Sequence, residues 1–265
     1  MLIGLQPYRK LQIPSQNGQN EMEKRIVLSL YDFTGEALKP WAKAGYTCYA
    51  FDIQHEGWKI DGFGKECGGS IHYRKADLHD QATLNSIQSE FGDKPVVFGM
   101  AFPVCTDMAV SGAAHFKRKA EANPFFQADA VGHVTAISRM FNGMAIPYFI
   151  ENPVSVLATK WRKPDHYFHP YHYGGYIPDD EAEHPRWPEY IAPYDAYPKK
   201  TCLWTGGNFN MPPPCYANLP DGSYSKQHLK LGGKSQRTKD IRSATPRGFA
   251  IAIYEANSQP VEEYA

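Results

Sequence analysis

No stretch of the chain approaches the roughly 20 consecutive apolar residues that a membrane span requires, so no membrane segment or membrane partner is expected. The first 24 residues lack the uninterrupted apolar core and small-residue cleavage site of a secretory signal. They read as a loose polar tail, and the expected location is the cytoplasm. An excess of charge of one sign is lacking too. With 28 basic and 28 acidic residues, the chain has no basis for tight non-specific attraction to a polyanion, and any such contact has to be local. Cysteines are few: Cys48, Cys67, Cys105, Cys202 and Cys215 are an odd number at scattered spacings, which suits reduced thiols better than a disulfide framework. No Cys-x-x-Cys pair is available to join His166, His169 and His172 around zinc, so no metal is expected. The absence of Gly-x-Gly-x-x-Gly argues against a dinucleotide ligand.

What is present is a chain of 265 residues, 42% hydrophobic and 21% charged, a balance that suits one buried core. Residues 25–33 (RIVLSLYDF), 46–53 (YTCYAFDI), 95–102 (PVVFGMAF) and 146–153 (IPYFIENP) read as buried strands, with a short strand in SIHYRKADL. Residues 35–46, with Pro40 in the first turn, the span from Asp80 to Phe91 with Asp80 as its cap, and the span from about Phe125 to Asn142 read as helices. The segment from Gly57 to Ser70 reads as a Gly-rich loop, and Thr245 and Pro246 announce a final helix as cap and first residue. Strands alternating with helices predict an α/β fold of Rossmann-like type. Its parallel sheet would carry helices on both faces and ligands at the carboxyl ends of the strands.

Four segments follow. Residues 1–24 form the tail and 25–160 the core. Residues 161–225, dense in Pro, Tyr, His and Trp, form an ordered, aromatic, loop-rich insertion, because flexible linkers are poor in aromatics. Its aromatic and basic composition suits either stacking on bases or packing on the sheet. Residues 226–265 hold a basic run, which is either a phosphate contact or a solvated segment, and the final helix.

Chemistry-bearing residues fall at predicted strand ends. In DFTGEA, Gly35 permits close backbone approach and the following helix presents free N–H groups. Asp52 follows about twenty residues later, where Rossmann proteins place an acid on a ribose hydroxyl, although a turn aspartate would look the same. Asp77 could accept from an adenine amine. After the fourth strand, Pro103 stiffens a turn carrying Cys105 among loop-forming neighbours, where a thiol could be exposed and activated. Glu151 ends the fifth strand on the same edge, where a carboxylic acid could protonate a base.

Taken together, DFTG, Asp52, Asp77, Pro103-Val104-Cys105 and Glu151-Asn152-Pro153, in this order over about residues 25–155, resemble the DNA cytosine-5 methyltransferase family. TDMAVSGA, residues 106–113, is similar to the small cytosine-methylase-like proteins of bacteriophages, for which the location would be the host cytoplasm. The resemblance implies an S-adenosylmethionine site formed by Asp32, Phe33, Thr34, Gly35, Asp52, Ile53, Asp77, Leu78 and Pro103. It implies Cys105 as nucleophile and Glu151 as acid, and DNA as partner with its cytosine flipped out. Asn152, Lys200, Thr201, Lys234, Arg237 and Arg242 are the expected substrate contacts.

The chain departs from the family pattern at Val104 and Pro153, which stand where a second proline and a valine are usual. KKTCLWTG, residues 199–206, stands where an arginine-rich strand motif is usual, and no large target-recognition domain is present. These departures leave two other readings open, a methyltransferase for a free cytosine nucleotide such as dCMP and an inactive nucleic-acid-binding protein on the same fold.

Overall fold

In the computed structural model, which describes residues 25–63, 68–217, 227, 230–232 and 235–258, the apolar runs form one eight-stranded mixed sheet. Its strands are β1 (Ile26–Leu30), β2 (Thr47–Asp52), β3 (Trp58–Phe63), β4 (Gly69–Lys75), β5 (Val96–Ala101), β6 (Tyr148–Pro153), β7 (His166–Phe168) and β8 (Thr201–Gly206). The order across the sheet is β3-β4-β2-β1-β5-β6-β8-β7. β4, β2, β1, β5 and β6 are parallel neighbours; β3 runs antiparallel to β4, and β8 antiparallel to both β6 and β7. The chain is α/β as expected, but the sheet is not purely parallel.

Two of the differences arise within segments read as loop. The Gly-rich stretch after residue 57 forms the edge strand β3, registered from Trp58 opposite Arg74 to Phe63 opposite Gly69. An edge strand needs a partner on one side only and leaves its side chains in solvent, as Trp58 and Ile60 are, so no buried run marks it. β7 and β8 arise inside residues 161–225, so that segment extends the sheet while also supplying loops and 3-10 turns.

Helices α1 (Lys39–Lys43), α2 (Gln81–Phe91), α3 (Phe116–Ala122), α4 (Phe126–Gly143), α5 (Leu157–Lys160), α6 (Gln236–Ser243) and α7 (Arg247–Asn257) complete the described regular helices. Side chains alternate along each strand. Ile26, Leu28 and Leu30 of β1 therefore face α2 and α4, through Leu84, Ile87, Ile137 and Phe141, while Val27 faces α1 and α7, through Trp41, Phe249 and Ile253. Pro40 sits in the first turn of α1, where its missing N–H costs nothing. Asp80 caps α2 by accepting from the backbone N–H groups of Ala82 (3.1 Å) and Thr83 (3.2 Å).

The last helix begins one residue later than its local signal. Pro246 has an extended ψ of 126° and takes the cap position, so Thr245 does not cap the helix. The Arg247 N–H is taken instead by the carboxylate of Asp195, at 2.6 Å, from far along the chain. A separate cluster of Trp187, Ile191, Tyr197, Leu231, Ile241 and Ala244 fastens residues 187–197 to α6.

Candidate active site

The parallel strands end together at one edge of the sheet, and the residues singled out in the sequence lie along it. After β1, Tyr31 adopts a positive φ of 57° and turns the chain into DFTG. Asp32 is buried and accepts from Ser29 Oγ (2.8 Å), Gly35 N (2.7 Å) and Thr34 Oγ1 (3.4 Å). Burial pushes its carboxyl up to about 6, against the pull of the Ser29 and Gly35 bonds. Asp32 therefore shapes the turn from within. Gly35 has a left-handed φ of 68°, and a Cβ there would lie 2.6 Å from the Tyr73 hydroxyl, so this position admits only glycine without rearrangement. Phe33 stacks on His55, with centroids 5.6 Å apart.

After β2, Asp52 is buried and takes both its side-chain bonds on Oδ1, from Gln54 N (2.8 Å) and Gln54 Nε2 (3.2 Å). Ile53 beside it is 56% exposed, an apolar surface at a strand end. After β4, Asp77 is exposed and accepts from His79 N (3.0 Å). Leu78, expected at the cofactor, buries its side chain in the core, and its carbonyl accepts from the Tyr31 hydroxyl (3.0 Å). Burial, then Asp77 and Asp52, hold the Tyr31 phenol well above its ordinary value, so this tyrosine lies within electrostatic reach of both acids. No sequence signal marks Tyr31, because its role comes from a backbone reversal.

After β5, Phe102 N bonds Leu30 O (3.0 Å), and the buried Pro103 offers its carbonyl to Asn152 Nδ2 (3.0 Å). The Cys105 carbonyl accepts from Met108 N (2.9 Å) and Ala109 N (2.8 Å), so Cys105 opens a tight turn. That turn is fastened to the residues following β6 by the Ala109–Ser155 bridge and by Val110 N to Val154 O and Val156 N to Met108 O, both 3.0 Å. Cys105 and Glu151 thus sit on neighbouring strand ends that are tied to each other. Asn152, expected on the substrate, is fully buried and directs its amide at Pro103, which makes it a clamp on the Cys105 loop.

Burial, and next the charge of Glu151, raise the Cys105 thiol above its ordinary value, while Lys199 and Lys119 pull it down. The thiol is half-buried, and its surroundings on balance favour the protonated form. Glu151 is raised by burial and opposed by Lys199, and its Oε1 is shielded from solvent with no hydrogen-bond partner. An unpaired buried carboxylate oxygen is costly in a folded chain and marks a place where a ligand donor can be received.

The cleft in front of Glu151 has a volume of about 270 Å³ including its open mouth. Phe102, Phe168, Lys199, Thr201, Phe249 and residues 243–246 line it. Lys199 is the residue that the sequence reading missed. Side chains alternate on entering β8, so Lys199 reaches the cleft and Lys200, the expected contact, points elsewhere, with its ammonium 4.9 Å above the Tyr167 ring. Thr201 does line the cleft. In the basic run, Arg237 pairs with Glu189 (3.2 Å), and Arg242 donates to the Leu231 carbonyl (2.6 Å), while Lys234 lies outside the described residues.

Among the described residues no three His, Cys, Asp or Glu side chains converge as a metal site, and no helix is long and apolar enough to cross a membrane. Neither the comparison with known protein families nor that with curated proteins returns a match for this chain.

Proposed function

We propose that the protein is a cytosine-5 methyltransferase acting on DNA, with Cys105 as nucleophile, Glu151 as acid and S-adenosylmethionine as donor. The observation that carries the proposal is the pairing of Cys105 and Glu151 on adjacent, mutually fastened strand ends, with the Glu151 Oε1 buried and unpartnered beside a cleft. Two oppositely specialised groups on one rim are what attack on a base with protonation of the same base requires. The parallel part of the sheet supports the donor. Its strands read third, second, first, fourth, fifth in chain order if the edge strand β3 is left out, the Rossmann arrangement that opens a crevice between β1 and β5.

The residues at that crevice fit a nucleoside with an amino-acid arm. Asp52 keeps Oδ2 unengaged for a ribose hydroxyl, Ile53 and Phe33 offer apolar surface, and Asp77 is exposed for an exocyclic amine. Asp32 and Gly35 hold the turn along which the arm would lie. When bound, the donor supplies an electrophilic methyl group.

The chain's own part begins when the Cys105 thiol loses its proton to solvent and the sulfur bonds to carbon 6 of the cytosine. The carbon 5–carbon 6 π pair is displaced through the ring as Glu151 gives its proton to nitrogen 3, which leaves carbon 5 nucleophilic. After carbon 5 gains the methyl group, its proton leaves to solvent, the double bond re-forms as the Cys105 thiolate departs, and nitrogen 3 returns its proton to Glu151. Because Glu151 is raised, it carries a proton to higher pH than an exposed glutamate does, as an acid in this role needs. Lys199 lowers both groups and so offsets part of the negative charge that Cys105 and Glu151 would carry.

An oligonucleotide with 5-fluorocytosine at the target tests the proposal, since fluorine cannot leave carbon 5 as the proton does. With donor present, a covalent protein–DNA adduct that survives denaturation is expected, and Cys105→Ser should abolish it. Methylation without an adduct would instead place the reaction on the exocyclic amine.

A further inference from the structure

Residues 161–225 divide their aromatic side chains between two destinations. Phe168 and Tyr173 are buried against Phe249, with the Phe168–Phe249 rings stacked 3.9 Å apart, and belong to the core. Others do not. Tyr167 is 52% exposed and Tyr216 60% exposed, and between them His169 stacks on Tyr171 with centroids 5.2 Å apart and planes at 27° to one another. Tyr171 approaches Tyr216 at 6.2 Å, and His172 approaches Tyr216 at 5.5 Å. Lys200 stands 4.9 Å over the Tyr167 ring and near enough to His169 to lower its basicity, after burial has done so.

The group is rigid. Tyr167 lies in β7, opposite Cys202 of β8, and the Tyr216 segment is fixed by Cys215 N to His172 O (2.8 Å) and Gly175 N to Cys215 O (2.9 Å). The two segments that supply the group, residues 166–178 and 196–216, contain no Asp or Glu in a chain with 28 acidic residues. Position completes the case. Thr201, at the start of β8, pairs with Pro153 of β6 on one side and Phe168 of β7 on the other, so this group shares the sheet edge with Glu151.

We infer that this edge is a stacking platform for the unpaired bases of single-stranded DNA, formed by Tyr167, His169, Tyr171, His172, Tyr216 and the cation Lys200. Aromatic faces held in place, a cation beside them and no acid within the segments that carry them are features by which single strands are bound with little regard to sequence. A duplex hides the faces of its bases and gains nothing from such a surface. The choice of DNA as occupant rests on the proposed function; the preference for unpaired bases rests on the platform alone.

The test uses the full chain carrying Cys105→Ser, so that binding is read without chemistry. Fluorescence anisotropy compares a labelled cytosine-containing 12-mer with the same strand in a duplex. The single strand is expected to bind more tightly. Tyr167→Ala and Tyr216→Ala should each weaken it by about five- to a hundredfold with little effect on the duplex. The corresponding Phe variants should retain binding, and Lys200→Gln should reduce the salt slope by roughly 0.7. Equal or tighter binding of duplex, or alanine variants that melt normally and bind the single strand as before, overturns the platform. The 5-fluorocytosine adduct on the unaltered chain is scored separately, so an adduct without a platform effect and a platform effect without an adduct each refute one statement and spare the other.

Discussion

Glu151→Gln is expected to make Cys105 more reactive toward disulfides while lowering methyl transfer. The thiol is held up by burial and then by the Glu151 charge, so removing that charge lets the thiol ionise at lower pH and raises the thiolate fraction at neutral pH. Cys105 lies past the end of β5 but within electrostatic reach of Glu151, and a separation on the order of 7 Å is taken for the pair. At an effective dielectric of ~20 one unit charge is then worth roughly 2 kcal/mol, and about half that with screening through an open cleft. That range corresponds to roughly five- to thirtyfold more thiolate. Nucleophilicity falls as the thiol becomes more acidic, with a Brønsted coefficient of about 0.4–0.5, so the rate should rise only about two- to eightfold. The assay is reaction with an aromatic disulfide at pH 7.5 in a chain carrying Cys67→Ser and Cys215→Ser, where the buried Cys48 and Cys202 contribute little. Lys199→Met removes a cation that pulls the thiol down and should slow the same reaction. An unchanged or slower rate in Glu151→Gln, with unaltered melting, would refute the coupling.

Asp52→Ala should weaken S-adenosylmethionine binding by about 1–3 kcal/mol in calorimetry, through loss of a charged hydrogen bond to ribose; wild-type affinity in the variant would remove that role. Asp195→Ala leaves the Arg247 guanidinium, which is only 11% exposed, with carbonyl partners but without its counter-charge, and should cost about 3–5 kcal/mol, or a fall in Tm of roughly 6–10 °C at this chain length. Gly35→Ala should destabilise by about 1–3 kcal/mol through its positive φ and its contact with Tyr73. Adding Tyr73→Phe removes the hydroxyl contact but leaves Cε1 at 2.9 Å, so it should recover only part of the loss, which thermal melts of the two variants would reveal.

Much of the fold could be read from the residues in order because burial imposes local patterns. The apolar runs at β1, β2, β5 and β6, the Asp80 cap and Pro40 in a first turn are each decided by a few consecutive residues, and the structure keeps them. The strand-end placement of Asp32, Asp52, Cys105 and Glu151 followed from the same alternation. What the sequence could not decide depended on partners distant along the chain. β3 exists because β4 pairs with it, β7 and β8 because the sheet continues past β6, and α7 starts at Arg247 because Asp195 reaches its first N–H. The choice of Lys199 over Lys200 at the cleft, the inward turn of Asn152 and the raised Cys105 thiol are likewise tertiary. Strand register sets which of two adjacent side chains faces a site, and burial with neighbouring charge sets how that side chain ionises, and neither is a property of a residue and its immediate neighbours.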